Sequence, residues 1–136
     1  MRVKDLMTRD VESARPDHTL QQVARMMADG DFGAAPVCEG DRLVGVVTDR
    51  DIAVRGVAAG MSLDTPVRDI MSGDLKTVRE DDAAADVYSA MAHAQVRRLP
   101  VVDGDGRLCG IVAMADLARS NHDKHLGETL QDISKG

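Results

Sequence analysis

The chain repeats itself. Val3-Lys4-Asp5-Leu6-Met7-Thr8 returns as Val67-Arg68-Asp69-Ile70-Met71-Ser72, and Ala35-Pro36-Val37 returns as Leu99-Pro100-Val101, both at an offset of 64 residues. Gly45-Val46-Val47 returns as Gly110-Ile111-Val112 at an offset of 65. The added residue falls where Gly40-Asp41-Arg42 becomes Gly104-Asp105-Gly106-Arg107. Turns absorb insertions, so the slip is that of a structural unit built twice. A unit of about 60 residues is marginal alone, and two copies bury their apolar faces against each other.

Each copy carries the same periodicities. Leu20, Val23, Ala24 and Met27 fall at i, i+3, i+4 and i+7, and Ala84, Val87, Tyr88 and Met91 repeat that helical stripe. Asp17 and Asp81 precede the two stripes as candidate caps. Two β-prone runs around a Gly/Asp turn follow in each copy: Pro36-Val37-Cys38 with residues 43–47, and Pro100-Val101-Val102 with residues 108–112. A second helix is expected at about 49–58 and again at 114–119. The expected architecture is α/β (α+β): two repeats, each β-α-β-β-α with a short first strand. Their two small sheets pack with pseudo-twofold symmetry and are flanked by helices. The repeats span 1–59 and 67–119, joined by a linker at 60–66. The tail, 120–136, places Leu126, Leu130 and Ile133 on one helical face that docks on its own domain or on a partner subunit.

Composition narrows the function classes. Hydrophobic residues make up 43% of the chain with no Trp, one Phe and one Tyr, so the core is aliphatic. The longest apolar runs are strand-length, too short to span a bilayer. No apolar stretch follows Met1-Arg2-Val3-Lys4-Asp5 as it would in a signal peptide, which points to the cytoplasm. Cys38 and Cys109 sit in apolar runs and read as buried free thiols. A net charge of −6 lacks the basic footprint of a nucleic-acid partner. Phe32 and Tyr88 alone form no stacking platform. No nucleophile–base constellation, Cys-x-x-Cys pair or phosphate-binding glycine loop is present, so an enzyme is not expected.

The opening Val-x-Asp-hydrophobic-Met-Thr/Ser and the closing Gly45-Val46-Val47-Thr48-Asp49-Arg50-Asp51 resemble the CBS (cystathionine β-synthase-type) repeat. The resemblance runs from residue 3 to about 118 and recurs in order in both halves. It implies two three-stranded sheets flanked by helices, commonly dimerised. It also implies clefts between the repeats that bind adenosine-containing ligands such as AMP, ADP, ATP or S-adenosylmethionine. An adenine nucleotide is then a regulatory ligand, with no cofactor required.

Two readings compete at Thr48 and Asp51. Asp51 can accept from both ribose hydroxyls while Thr48 and the helix start face phosphate. Alternatively, the pair merely caps the helix. The resemblance favours the ligand. It brings Met71, Leu75, Lys76, Arg97, Arg98 and Pro100 to the Asp51 cleft together with Arg50, the arginines facing phosphate. The equivalent cleft takes Asp116, Thr8, Val11 and Pro36. It reads as empty, weak or suited to a less charged adenosine ligand, because Ala113 replaces Thr48 and the positions matching Arg97 and Arg98 are Gly33 and Ala34. The expected partners are an adenosine-containing small molecule, a second copy of the chain and an unidentified protein target, with no membrane. A scaffold without nucleotide, an S-adenosylmethionine sensor, and a redox or metal sensor using Cys38, Cys109 or the tail histidines His122 and His125 are the alternatives; no metal site is assigned.

Overall fold

The structure, a computed structural model, describes residues 1–119. The tail stripe at Leu126, Leu130 and Ile133, and the histidines His122 and His125, lie outside the described residues. Repeat 1 comprises α1 (Leu20–Gly30), β1 (Ala34–Glu39), β2 (Arg42–Thr48) and α2 (Asp49–Asp51), which runs on as a π-helical turn, Ile52–Val57. Repeat 2 comprises β3 (Val78–Arg79), α3 (Ala84–Ala94), β4 (Arg98–Val102) and β5 (Leu108–Ala113), followed by helix at 114–119. β1 and β2 pair antiparallel; β3 lies parallel to β4, which pairs antiparallel with β5. The short first strand of repeat 1 is reduced to one parallel bridge between Ala14 and Val37.

The helices sit where the periodicity puts them, and their caps do not. Thr19, not Asp17, caps α1: its hydroxyl accepts from the Gln22 N–H at 3.1 Å while Gln22 accepts from the Thr19 N–H at 2.9 Å. Asp17 pairs instead with Arg15 at 3.6 Å. α3 begins at Ala83 without a side-chain cap, and Asp81 pairs with Lys4 at 3.4 Å. Both helices bury the expected stripe except Ala24, which is exposed, and Tyr88, which is half-buried. Both end on a left-handed residue that is not glycine, Asp31 (φ 54°) and Gln95 (φ 59°).

Each opening motif packs with the other repeat. Val3 of repeat 1 is buried with Val87, Met91, Val101, Val112 and Leu117 of repeat 2. Val67 and Ile70 of repeat 2 are buried with Leu20, Val23, Val37 and Val47 of repeat 1. Hydrogen bonds tie the exchange: Thr8 N–H to Ile111 O at 2.8 Å and Ile111 N–H to Thr8 O at 2.9 Å. Ser72 and Val46 make the equivalent pair at 2.9 and 3.1 Å. The repeated glycines follow from this approach. A Cβ on Gly110 would lie 2.5 Å from the Thr8 carbonyl oxygen, and one on Gly45 would lie 2.5 Å from the Met71 sulfur.

The hairpin tips close the opposite end. Gly40 takes the positive φ (62°) of a tight hairpin turn. Leu43 N–H donates to Gly106 O at 3.1 Å, and Leu108 N–H donates to Asp41 O at 2.9 Å. Cys38, Leu43 and Val102 are buried beneath the tips against Leu75 and Leu108.

Candidate functional site: a cleft between the repeats

β5 ends at Ala113, and the helix that follows at 114–119 lifts Asp116 into its first turn. The exchanged segment at Thr8 lies against Ile111 on the same strand. Beyond it, the left-handed Asp31 turns the chain out of α1 and carries Phe32 toward β1. Between these elements lies a cavity of about 520 Å³, well within the size of small-molecule sites. Thr8, Val11 and Ile111 form one wall, Phe32 and Ala34 another, and Asp116 and Arg98 supply charge of opposite sign. Asp10, Glu12 and Asp31 complete the lining.

Thr8, Val11 and Asp116 are thus brought together as expected from the sequence. Pro36 is not on this wall: it is fully buried beside a narrow slit with Val46, Leu99 and Pro100. The absence of an arginine from this cleft does not hold, because Arg98 itself lines it. β4 and β1 start side by side near the pseudo-twofold axis, so Arg98 also borders the slit with Ala34 and Pro36. Arg97 is exposed and lines a separate depression with Met114 and Ala118. Phe32 is the residue that sequence reasoning missed. The signal was weak: one aromatic immediately before a strand, read only as too few to make a platform.

At Asp51 the local geometry is a reciprocal cap. The Asp51 N–H donates to the Thr48 hydroxyl at 3.0 Å, and the Thr48 N–H donates to Asp51 Oδ2 at 2.9 Å. This satisfies two helix-start donors, and both side chains are half-buried. The capping arrangement leaves Oδ1 of Asp51 without a protein hydrogen-bond partner among the described residues, so capping and ligand binding are compatible at this carboxylate. Asp116 has no such cap, since Ala113 carries no hydroxyl; its carboxylate pairs with Arg119. Met71 packs into the first core against Gly45, and Leu75 packs under the hairpin tips. Pro100 is buried, while Arg50 and Lys76 are exposed.

Cys38 and Cys109 are free thiols, Cys38 buried and Cys109 only half-buried. Burial pushes the Cys38 thiol up, partly offset by a hydrogen bond with Ser13. Cys109 is raised by burial and then by the nearby Glu80 and Asp103 carboxylates. Among the described residues no three His, Cys, Asp or Glu side chains converge as a metal site, and no helix is long and apolar enough to cross a membrane.

A family model for the CBS domain matches residues 3–56 and 67–123. The CBS domain-containing protein YhcV of Bacillus subtilis is 41% identical over 133 residues, covering 97% of this chain and 94% of that protein. Hypoxic response protein 1 of Mycobacterium tuberculosis is 37% identical over 118 residues, covering 85% and 82% of the two chains. The crystal structure of Hypoxic Response Protein I, which holds two coordinated zinc ions, superposes with a TM-score of 0.79 at 36% identity over 88% of this chain and 98% of its own. Two CBS structures solved with adenosine compounds also reach a TM-score of 0.79, each over 91% of this chain and 98% of the other. They are the CBS domain pair of MJ0100 with 5′-methylthioadenosine and S-adenosyl-L-methionine, at 26% identity, and CBSX2 with AMP, at 25%. Two family matches in tandem, on two repeats that exchange their opening segments around a shared cleft, establish that this chain belongs to the CBS domain family as a pair of its repeats.

Proposed function

We propose that this CBS pair is a regulatory module rather than an enzyme, and that it binds an adenosine-containing ligand between its repeats. The observation that carries this reading is the cavity at Asp116, whose walls come from both repeats. There the Asp116 carboxylate accepts from the ribose hydroxyls, the Phe32 ring covers the base and Arg98 faces the 5′ substituent. Pseudo-symmetry assigns the same ribose role to Asp51 in the opposite cleft. In this reading Thr48, Arg50, Lys76 and Arg98 favour an adenine nucleotide there, and Met71, Leu75 and Pro100 form the apolar wall. The bound adenosine compounds of the MJ0100 and CBSX2 structures support the ligand class.

A ligand touching both repeats shifts their relative orientation only by its differential affinity for the two arrangements. The proposed output is a changed surface for a protein target in the cytoplasm, a setting that suits the free thiols. The proposed assembly is a homodimer, favoured by exposed apolar side chains on and beyond α2: Val54 (51%), Val57 (59%) and Leu63 (52%).

Isothermal titration with AMP, ATP and S-adenosylmethionine tests the function. Wild type binds at least one of them with micromolar affinity, and the Asp51→Ala/Asp116→Ala double variant binds none. No heat with any of the three, and no thermal stabilisation, refutes the adenosine reading and leaves a dimeric scaffold.

A further inference from the structure

The Asp116 cavity and the equivalent positions around Asp51 differ in charge. Asp10, Glu12, Asp31 and Asp116 line the Asp116 cavity against a single guanidinium, that of Arg98. Asp116 is paired with Arg119, whereas Asp10, Glu12 and Asp31 have no ion pair or side-chain hydrogen bond among the described residues. The strand registers match the strand starts of the two halves: Ala34 faces Thr48 across the first hairpin, and Arg98 faces Ala113 across the second. At the equivalent positions around Asp51, Asp10 is kept as Asp74, while Glu12 becomes Lys76, Asp31 becomes Gln95 and Ala115 becomes Arg50. Every one of these changes is toward positive charge.

We infer that the Asp116 cleft selects an adenosine ligand whose 5′ substituent is uncharged or cationic, and that Glu12 and Asp31 are the residues that reject phosphate. The inference rests on the proposed adenosine function and assigns a ligand class within it. A phosphate at the 5′ position would bring two negative charges to a rim that already holds three carboxylates. A thioether there meets no penalty, and for a sulfonium the attraction of the rim carboxylates outweighs the repulsion of the one Arg98 guanidinium. Among the described residues, these carboxylates do not converge as metal ligands. Selection of this kind works by unfavourable contacts with the wrong ligand as much as by favourable contacts with the right one. The carboxylates are exposed, so their action is screened, and the expected discrimination is about tenfold at low salt.

The test uses the full chain carrying Asp51→Ala, which leaves the Asp116 cleft as the ribose site. Calorimetric titration with S-adenosylmethionine, 5′-methylthioadenosine and AMP is expected to show the first two binding about tenfold tighter than AMP. Glu12→Gln/Asp31→Asn in the same background closes that gap by strengthening AMP. The pair has no ion-pair partner to lose, and asparagine accepts the left-handed φ at position 31, so melting temperature holds. AMP binding tighter than 5′-methylthioadenosine in the Asp51→Ala protein, or a gap that neutralisation leaves intact, overturns the charge selection alone. Failure of every adenosine compound to bind wild type overturns the adenosine reading and this inference with it.

Discussion

Placing a methyl group on Gly110 tests the exchanged architecture directly. The added Cβ would stand 2.5 Å from the Thr8 carbonyl oxygen and 3.3 Å from its carbon, both backbone atoms that move only with the segment. Overpacking of this kind costs about 1–3 kcal/mol. Displacing Thr8 also weakens its two hydrogen bonds to Ile111, worth about 1 kcal/mol each. Because φ at Gly110 is not positive, alanine returns about 0.4–1 kcal/mol by restricting the unfolded chain. The net expectation is a loss of about 2–3 kcal/mol. Gly45→Ala is the control on the other half of the pseudo-symmetry. There the clash is with the Met71 thioether at 2.5 Å, an unbranched side chain that can swing away, so the loss is at most about 1 kcal/mol. Urea unfolding reads the difference: with a slope of about 2 kcal/mol per molar, the Gly110→Ala midpoint falls by about 1 M. Equal midpoints for the two variants, or a larger loss for Gly45→Ala, would show that the Thr8 segment does not hold the second core as described.

Further outcomes follow from local geometry. Thr48→Ala removes the hydroxyl that accepts from the Asp51 N–H and lowers stability by about 1 kcal/mol, while Thr48→Ser preserves it; thermal melting distinguishes them. Gln95→Gly relieves the left-handed φ of 59° and stabilises by about 0.5–1 kcal/mol, seen as a raised melting temperature. Backbone N–H groups of Arg107 and Asp105 hold the Asp103 carboxyl below the usual range. Its stabilisation is therefore full above the ordinary carboxylate pKa of about 4 and fades as pH falls through the lower folded value. Unfolding of wild type and Asp103→Asn across acid pH should converge at the low end, and a difference that grows on acidification would contradict that sign. In the native protein a thiol reagent modifies half-buried Cys109 before buried Cys38; rapid modification of Cys38 would argue against its burial beneath the hairpin tips.

Much of the fold was readable because the repeat is written in local terms. Glycine turns, alternating apolar residues and the stripes at Leu20 and Ala84 each report on neighbours a few residues away. The caps were misplaced because Asp17 and Thr19 are equally good capping residues by type, and only the reciprocal bond with Gln22 decides between them. The exchange of opening segments was invisible, because a period reveals that Val3 and Val67 are alike without saying which core each enters. The cleft around Asp116 was read from the family motif. Its other walls, residues 10–12, 30–34 and 98, come from loops and a strand start, where no periodicity marks a shared surface. Arg98 was assigned to the Asp51 cleft by the family resemblance, yet it lines the cavity at Asp116 as well as the slit beside Pro36.

The exchange has a consequence for how unlike the two halves can become. A single repeat cut free of its partner would leave its core open where Val67 and Ile70, or Val3, now sit. Such a fragment could complete itself only by trading segments with an identical copy. Symmetry would then force both clefts of that pair to be the same, and any residue altered in one would be altered in its twin. Joining the copies through residues 60–66 removes that bond between the twins. Lys76 can then stand where its counterpart is Glu12, and one small chain can carry opposite charges at matching positions of its two halves.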